Sequence, residues 1–197
     1  SHIDRERAVS PYNLPNALTV LRLVLVPVFI WLMILESTQA RWWALLVFAV
    51  AALTDHLDGR IARARGLITD FGRIADPIAD KALTLGAFIM LTIAGLLPWW
   101  VTVLIAIREL GITWLRALLL KRDIVVAANK GGKLKTVLQI AAILVLLVPW
   151  SRIGLPEAAA SGFLWFGWVL AGLALIVTLW SGWVYVAEGR HLWREAA

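Results

Sequence analysis

Hydrophobic and polar positions along this chain separate into long blocks rather than alternating. Apolar runs cover roughly 17–35, 42–57, 82–98, 100–120, 134–150 and 162–187, with short polar stretches between them. A helix of about 20 apolar residues matches the hydrocarbon core of a bilayer. Backbone groups find no water there, so each run is read as a helix, whose hydrogen bonds are internal. The pattern predicts an all-α integral membrane protein, a six-transmembrane-helix bundle whose short loops make neighbours antiparallel. An N-terminal juxtamembrane segment, 1–14, precedes a membrane domain over 15–197. In that segment Ile3, Ala8, Val9, Tyr12 and Leu14 are spaced for a short N-terminal interfacial helix.

Composition strengthens the membrane assignment. The 197 residues are 61% hydrophobic and 16% charged, with a mean hydropathy of +0.81, whereas soluble domains are about half apolar and a quarter charged. The net charge of +6 reads as loop cations facing anionic lipid headgroups, with no need for nucleic acid. Lys and Arg also orient the chain. Arg5, Arg7, Arg60, Arg63, Arg65, Arg73, Lys81, Lys121, Arg122, Lys130, Lys133, Lys135, Arg190 and Arg194 fall on one side, against Arg41 and Arg152 on the other. That asymmetry puts both termini in the cytoplasm. Trp42, Trp43, Trp99, Trp100 and Trp150 lie at the opposite ends of their runs, as an aromatic belt does. The absence of cysteine excludes disulfides, thiolate catalysis and Cys-ligated zinc. No cleavable signal peptide is expected, because the first apolar run follows a polar, charged start.

One stretch does not suit a bilayer. "TDHLDGRIARARGLITDFGRIADPIADK", residues 54–81, holds five carboxylates and five Lys or Arg side chains. Asp55 and Asp58 follow the end of the second apolar run, about 60° apart on a helix. Asp76 and Asp80 precede the third run, about 40° apart. Two neighbouring helices thus each offer a carboxylate pair at the cytoplasmic boundary. Four facing carboxylates cannot all stay ionised without a cation. Hard oxygen donors select Mg²⁺ or Mn²⁺, and two such ions are a recurring device for displacement at phosphorus. The competing interpretation is a solvated loop of ordinary salt bridges. Gly59, Ala62, Gly66 and Gly72 leave room for a ligand or for helix packing, and Arg63 offers a guanidinium suited to phosphate.

The arrangement Asp55-x-x-Asp58-Gly59-x-x-Ala62-Arg63, eight residues, Gly72-x-x-x-Asp76-x-x-x-Asp80 resembles the signature of the CDP-alcohol phosphotransferases at every fixed position. The six-span plan extends the resemblance over nearly the whole chain. It implies transfer of a phosphatidyl-type group from a CDP-linked donor to an acceptor hydroxyl, with release of CMP. It implies that Asp55, Asp58, Asp76 and Asp80 hold two divalent ions, Mg²⁺ or Mn²⁺, and that Asp80 is also the general base. It implies a homodimer in a bacterial cytoplasmic membrane. Gly59, Ala62, Arg63 and Thr69 are then expected at the nucleotide, with Asn16 and Thr19 from "PNALTVLR". For Asn16 the competing role is helix capping, and Arg22 is expected to snorkel. His56 lies between the aspartates, but the signature does not require it.

The acceptor is read from other residues. In "IRELGITWLR", Glu109, Thr113 and Arg116 fall at i, i+4 and i+7 on one helical face, with Arg108 about 100° away. Charges at such depth face a cavity or pair with another helix. "NKGGKLKT" adds Lys130, Lys133 and Lys135, for which a solvated loop is the alternative. These cations suit an anionic acceptor, whereas a quaternary amine would want aromatic faces. "IADPIADKAL", "IREL" and "GGKLKT" resemble a bacterial branch of the family that joins CDP-diacylglycerol to glycerol 3-phosphate. Arg108, Arg116, Lys133 and Lys135 are then expected at the acceptor phosphate. Phosphatidylglycerol or an inositol phosphate as acceptor would use the same metal site. A cation transporter is the remaining class, although it would place carboxylates near mid-membrane.

Overall fold

The structure is a computed structural model. It describes residues 14–65, 70–127 and 130–197, and their side chains apart from those of Pro15, 58–65, 70–76 and Lys130. The described residues form helices α1 (Leu14–Ile34), α2 (Thr38–Arg65), α3 (Asp70–Ile93), α4 (Trp99–Leu120), α5 (Lys130–Leu147) and α6 (Glu157–Glu195), with a 3₁₀ turn at Trp150–Arg152. No strand occurs among them. The all-α membrane architecture read from the sequence is the one observed. The expected interfacial helix of 1–14 lies outside the described residues.

Four segments are long and apolar enough to cross a bilayer: Asn16–Ile34, Thr38–Leu57, Gly131–Arg152 and Glu157–Glu195. The other two of the six expected spans are helical but more polar. Asp76, Asp80 and Lys81 interrupt α3, and Arg108, Glu109 and Arg116 interrupt α4. Helices also outrun the apolar runs. α2 continues to Arg65 and α3 begins at Asp70, so the aspartate pairs lie on helix, as their spacing predicted, and helix covers more of the polar stretch than the apolar runs suggested. Ala and Arg in "IARAR" are strong helix formers and keep the backbone bonds internal beyond the last apolar turn.

The chain divides into two compact units, residues 1–86 and 87–197. In the first, α1 packs on α2. A three-residue link joins them, and the Ser37 hydroxyl caps α2 by accepting the Ala40 N–H at 3.0 Å. Phe29 and Met33 of α1 are buried, as are Ala40, Ala44, Phe48 and Ala51 along one face of α2. The Phe29 and Phe48 centroids are 6.0 Å apart. Alanines four and seven residues apart on one helical face let the two backbones approach, which is how helices associate in lipid without a hydrophobic drive between them.

In the second unit α6 is the central partner, with α4 and α5 both packed on it. Its buried positions are Ala160, Gly167, Ala171, Ala174, Leu175, Thr178, Ser181, Gly182, Tyr185 and Gly189. Most are small, and their spacing follows three-and-four steps, the pattern of a close helix–helix seam. Two helix ends are closed by the same device. Past α3, Leu96 N–H reaches Leu91 C=O at 2.9 Å and Gly95 N–H reaches Thr92 C=O at 3.0 Å, with Gly95 at φ 78°. Past α4, Ile124 N–H reaches Leu119 C=O at 3.0 Å, with Asp123 at φ 58°. Both are Schellman caps, and Asp is among the few non-glycine residues that tolerate the left-handed position. The Trp168 indole N–H then donates to Leu96 C=O at 2.7 Å and ties the α3–α4 link to α6.

Gly167 tests the seam. A Cβ there would lie 2.6 Å from Leu146 Cδ2 and 2.9 Å from its Cγ, and Leu146 is fully buried. Gly167→Leu is expected to cost about 1–3 kcal/mol through overpacking. Thermal unfolding in detergent checks it; an unchanged melting temperature would mean that α5 and α6 do not approach this closely.

Candidate functional site

The first unit carries the carboxylates. Asp55, Asp58, Gly59 and Ala62 occur at i, i+3, i+4 and i+7 on α2, so one face of that helix presents them all. Asp76 and Asp80 are one turn apart on α3. Among the described side chains, Asp55 and Asp80 are half-buried. Those of Asp58, Gly59, Ala62, Arg63 and Asp76 lie outside the described set, as does Thr69 entirely. No group of three His, Asp or Glu side chains suited to a metal forms among the described residues. The donor chemistry itself fits a hard divalent ion. Both described ligand candidates are carboxylates, neither is sealed from solvent, and the chain has no cysteine thiolate to favour a softer metal.

α1 supplies a polar face to α2. Asn16, Thr19 and Arg22 are all buried, at i, i+3 and i+6. Asn16 lies inside the first turn of a helix that starts at Leu14, so it does not occupy the capping position considered from sequence. Arg22 differs more from expectation. Its side chain is 0% exposed, and its Nη1 pairs with Asp55 Oδ1 at 3.0 Å. A guanidinium snorkels when its helix places it near the interface with nothing closer to pair with; here a carboxylate on the next helix is nearer than water. The Arg22–Asp55 and Phe29–Phe48 contacts share one antiparallel register. Continued along both helices, it brings Thr19 to the level of Asp58 and Asn16 to the level of Ile61 and Ala62.

In the second unit Arg108 of "IREL" and Lys135 of "GGKLKT" meet at one carboxylate, Glu109. Glu109 is 2% exposed. Its Oε1 accepts from Lys135 Nζ at 2.7 Å and from Gln139 Nε2 at 3.2 Å, and Arg108 Nη1 is 3.6 Å away. Gln139 Nε2 also donates to Thr178 Oγ1 at 2.9 Å. Arg108 Nε donates to Thr178 C=O at 3.0 Å and its Nη2 to Ser181 Oγ at 3.0 Å. The chain makes room for that guanidinium with Gly182, where a Cβ would sit 3.0 Å from Arg108 Cγ. Arg116 lies over the Tyr185 ring at 5.6 Å, and Lys133 is exposed. Thr113 turns back to its own helix and donates to Glu109 C=O at 2.7 Å, so the Glu109–Thr113–Arg116 face is not a single polar surface.

Sequence reasoning missed Gln139, Thr178 and Ser181. The available signal was a lone amide and two small hydroxyl residues inside otherwise apolar runs. It also missed the partner of Arg22, because two residues on different helices share no spacing rule.

Residues 12–180 match the family model described as CDP-alcohol phosphatidyltransferase. The chain belongs to the CDP-alcohol phosphatidyltransferase family. It is 45% identical over 179 residues to a Mycobacterium tuberculosis protein named "Probable phosphatidylglycerophosphate synthase", covering 89% of this chain and 81% of that one. It is 36% identical over 192 residues to the CDP-diacylglycerol–glycerol-3-phosphate 3-phosphatidyltransferase of Bacillus subtilis, covering 90% and 95%. It is 33% identical over 186 residues to the cardiolipin synthase (CMP-forming) of Streptomyces coelicolor, covering 92% and 85%. As a phosphatidyltransferase of this family, the chain is a multi-pass membrane enzyme.

The Arg22–Asp55 pair yields an asymmetric prediction. Arg22 is wholly buried, while the Asp55 side chain is 37% exposed. Asp55→Asn removes this counter-charge from a buried cation and should cost about 3 kcal/mol. Arg22→Met leaves a carboxylate that reaches water and should cost about 1 kcal/mol or less. Thermal unfolding of the two variants in one detergent separates them, and a larger loss for Arg22→Met would contradict the assignment.

Proposed function

We propose that this enzyme is a phosphatidylglycerophosphate synthase, transferring the phosphatidyl group of CDP-diacylglycerol to glycerol 3-phosphate with release of CMP. The observation that carries this is that a chain with an intact carboxylate signature also has cationic side chains in "IREL" and "GGKLKT". The names of the M. tuberculosis and B. subtilis relatives agree with it. Six spans, with the carboxylates and both termini on the cytoplasmic side of a bacterial inner membrane, complete the reading, and the positive-inside bias supports it. A homodimer is part of the same proposal.

In this scheme Asp55, Asp58, Asp76 and Asp80 hold two divalent ions, Mg²⁺ or Mn²⁺. Bound there, the ions supply charge neutralisation at the donor pyrophosphate and the leaving CMP. Asn16, Thr19, Gly59, Ala62, Arg63 and Thr69 hold the CDP group. The small residues at 59 and 62 admit it against α2, and the common depth of Asn16 and Thr19 with that segment supports their inclusion. Asp80 takes the proton from the acceptor hydroxyl as its oxygen attacks the β-phosphorus, and the bond to CMP breaks. Arg108, Arg116, Lys133 and Lys135 hold the acceptor phosphate. Of these, Arg108 and Lys135 are oriented by internal partners, while Lys133 is exposed.

A headgroup assay tests the proposal. Protein in lipid vesicles receives CDP-diacylglycerol and Mg²⁺, then glycerol 3-phosphate, an inositol phosphate or phosphatidylglycerol, and CMP is followed. CMP with glycerol 3-phosphate alone is expected, and a chelator should abolish it until Mg²⁺ or Mn²⁺ is restored. CMP with phosphatidylglycerol alone would keep the chemistry and move the chain to the cardiolipin synthase branch. Asp80→Asn should lower turnover by roughly 10²–10⁴-fold while donor binding survives; near-normal turnover would remove Asp80 as the base.

A further inference from the structure

The mechanism above uses the cations of the second unit but leaves Glu109 without a role. Its carboxylate is among the most deeply buried charges described, and burying an ion costs several kcal/mol unless good geometry repays it. The repayment is visible. Glu109 Oε1 takes the Lys135 ammonium at 2.7 Å and the Gln139 amide at 3.2 Å. The amide's other N–H is spent on Thr178 Oγ1 at 2.9 Å, so Gln139 is fixed from two sides and in turn fixes the carboxylate. Thr178 C=O also holds Arg108 Nε at 3.0 Å. Three helices therefore meet through one carboxylate, and two cations on different helices are oriented relative to it.

A device meant only to join helices needs a single neutral pair. Here one carboxylate stands between two cations, Arg108 and Lys135. A lysine left to itself on four rotatable bonds loses about 2 kcal/mol of rotamer entropy when it is held in one place. Glu109 and Gln139 have already removed that freedom from Lys135, which pre-organises the ammonium for a further anionic partner. We infer that Glu109 is a positioning residue for acceptor recognition, acting through Lys135, with Gln139 as the brace that holds its carboxylate. The inference rests on the proposal that Lys135 serves a phosphate-bearing acceptor.

Kinetics in vesicles with glycerol 3-phosphate and CDP-diacylglycerol test it, using the wild type, E109Q, K135M and the double variant. E109Q is expected to raise the acceptor KM about tenfold, the scale of one charge-assisted hydrogen bond, with the donor KM within about twofold of the wild type. Because Glu109 acts through Lys135, the double variant should be no worse than K135M alone. Additive effects, or a lower kcat with both KM values unchanged, would show a purely structural role and overturn the inference. An acceptor KM untouched in K135M would instead remove Lys135 from the acceptor site, and the inference with it. Should E109Q fail to fold, Q139L keeps every charge and removes only the brace. It should raise the acceptor KM about threefold, the scale of one neutral hydrogen bond, and an unchanged value would sink the proposal.

Discussion

An ionised side chain inside a lipid-solvated helix needs a counter-charge from another helix, and much of this structure follows from that constraint. Apolar packing between helices contributes little direction in a medium that is itself apolar. Charges contribute direction because their alternatives are so costly. Arg22 on α1 is completed by Asp55 on α2, and Glu109 on α4 is completed by Lys135 on α5. Each pair sets a register that leucines and valines alone would leave open. In the first unit the same register puts the polar face of α1 at the depth of the α2 aspartates.

Small residues are the counterpart of this constraint. Polar atoms reach one another at hydrogen-bond distance only if the backbones come close. The alanines at 40, 44 and 51 of α2 and the glycines and alanines of α6 permit that approach. Gly182 illustrates the link, since the space a Cβ would fill is taken by the Arg108 side chain. Packing and electrostatics are therefore one arrangement here: the small-residue seam of α6 is also where Thr178 and Ser181 receive the guanidinium.

The chemistry divides along the same lines. Carboxylates belong to α2 and α3 in the first unit, and the cations considered for the acceptor belong to α4 and α5 in the second. Asp55 has two demands on it, one from Arg22 and one from its place in the family signature. A carboxylate held from one side by a buried guanidinium is oriented by that contact. Relatives named for two different activities match nearly the same length of chain.

How much of this was legible in the sequence depends on the range of the interaction. The membrane class and the six α-helices among the described residues followed from block hydrophobicity, because a run of about 20 apolar residues in a bilayer satisfies its backbone internally as a helix. The signature aspartates were legible because their spacing is local: i, i+3 on one helix and i, i+4 on the next bring side chains to one face whatever the rest of the fold does. The extension of α2 to Arg65 was missed because hydropathy reports solvent, while helix continuation depends on propensity. The partners were not legible at all. Nothing in the spacing of Arg22 and Asp55, or of Glu109, Lys135, Gln139 and Thr178, joins them, since they are brought together by helix register. The sequence by itself determined the membrane class, the helices and the chemical family of the enzyme. Only the tertiary structure decided which charges meet, because a buried ion is matched across helices, and that distance is written in no single stretch of chain.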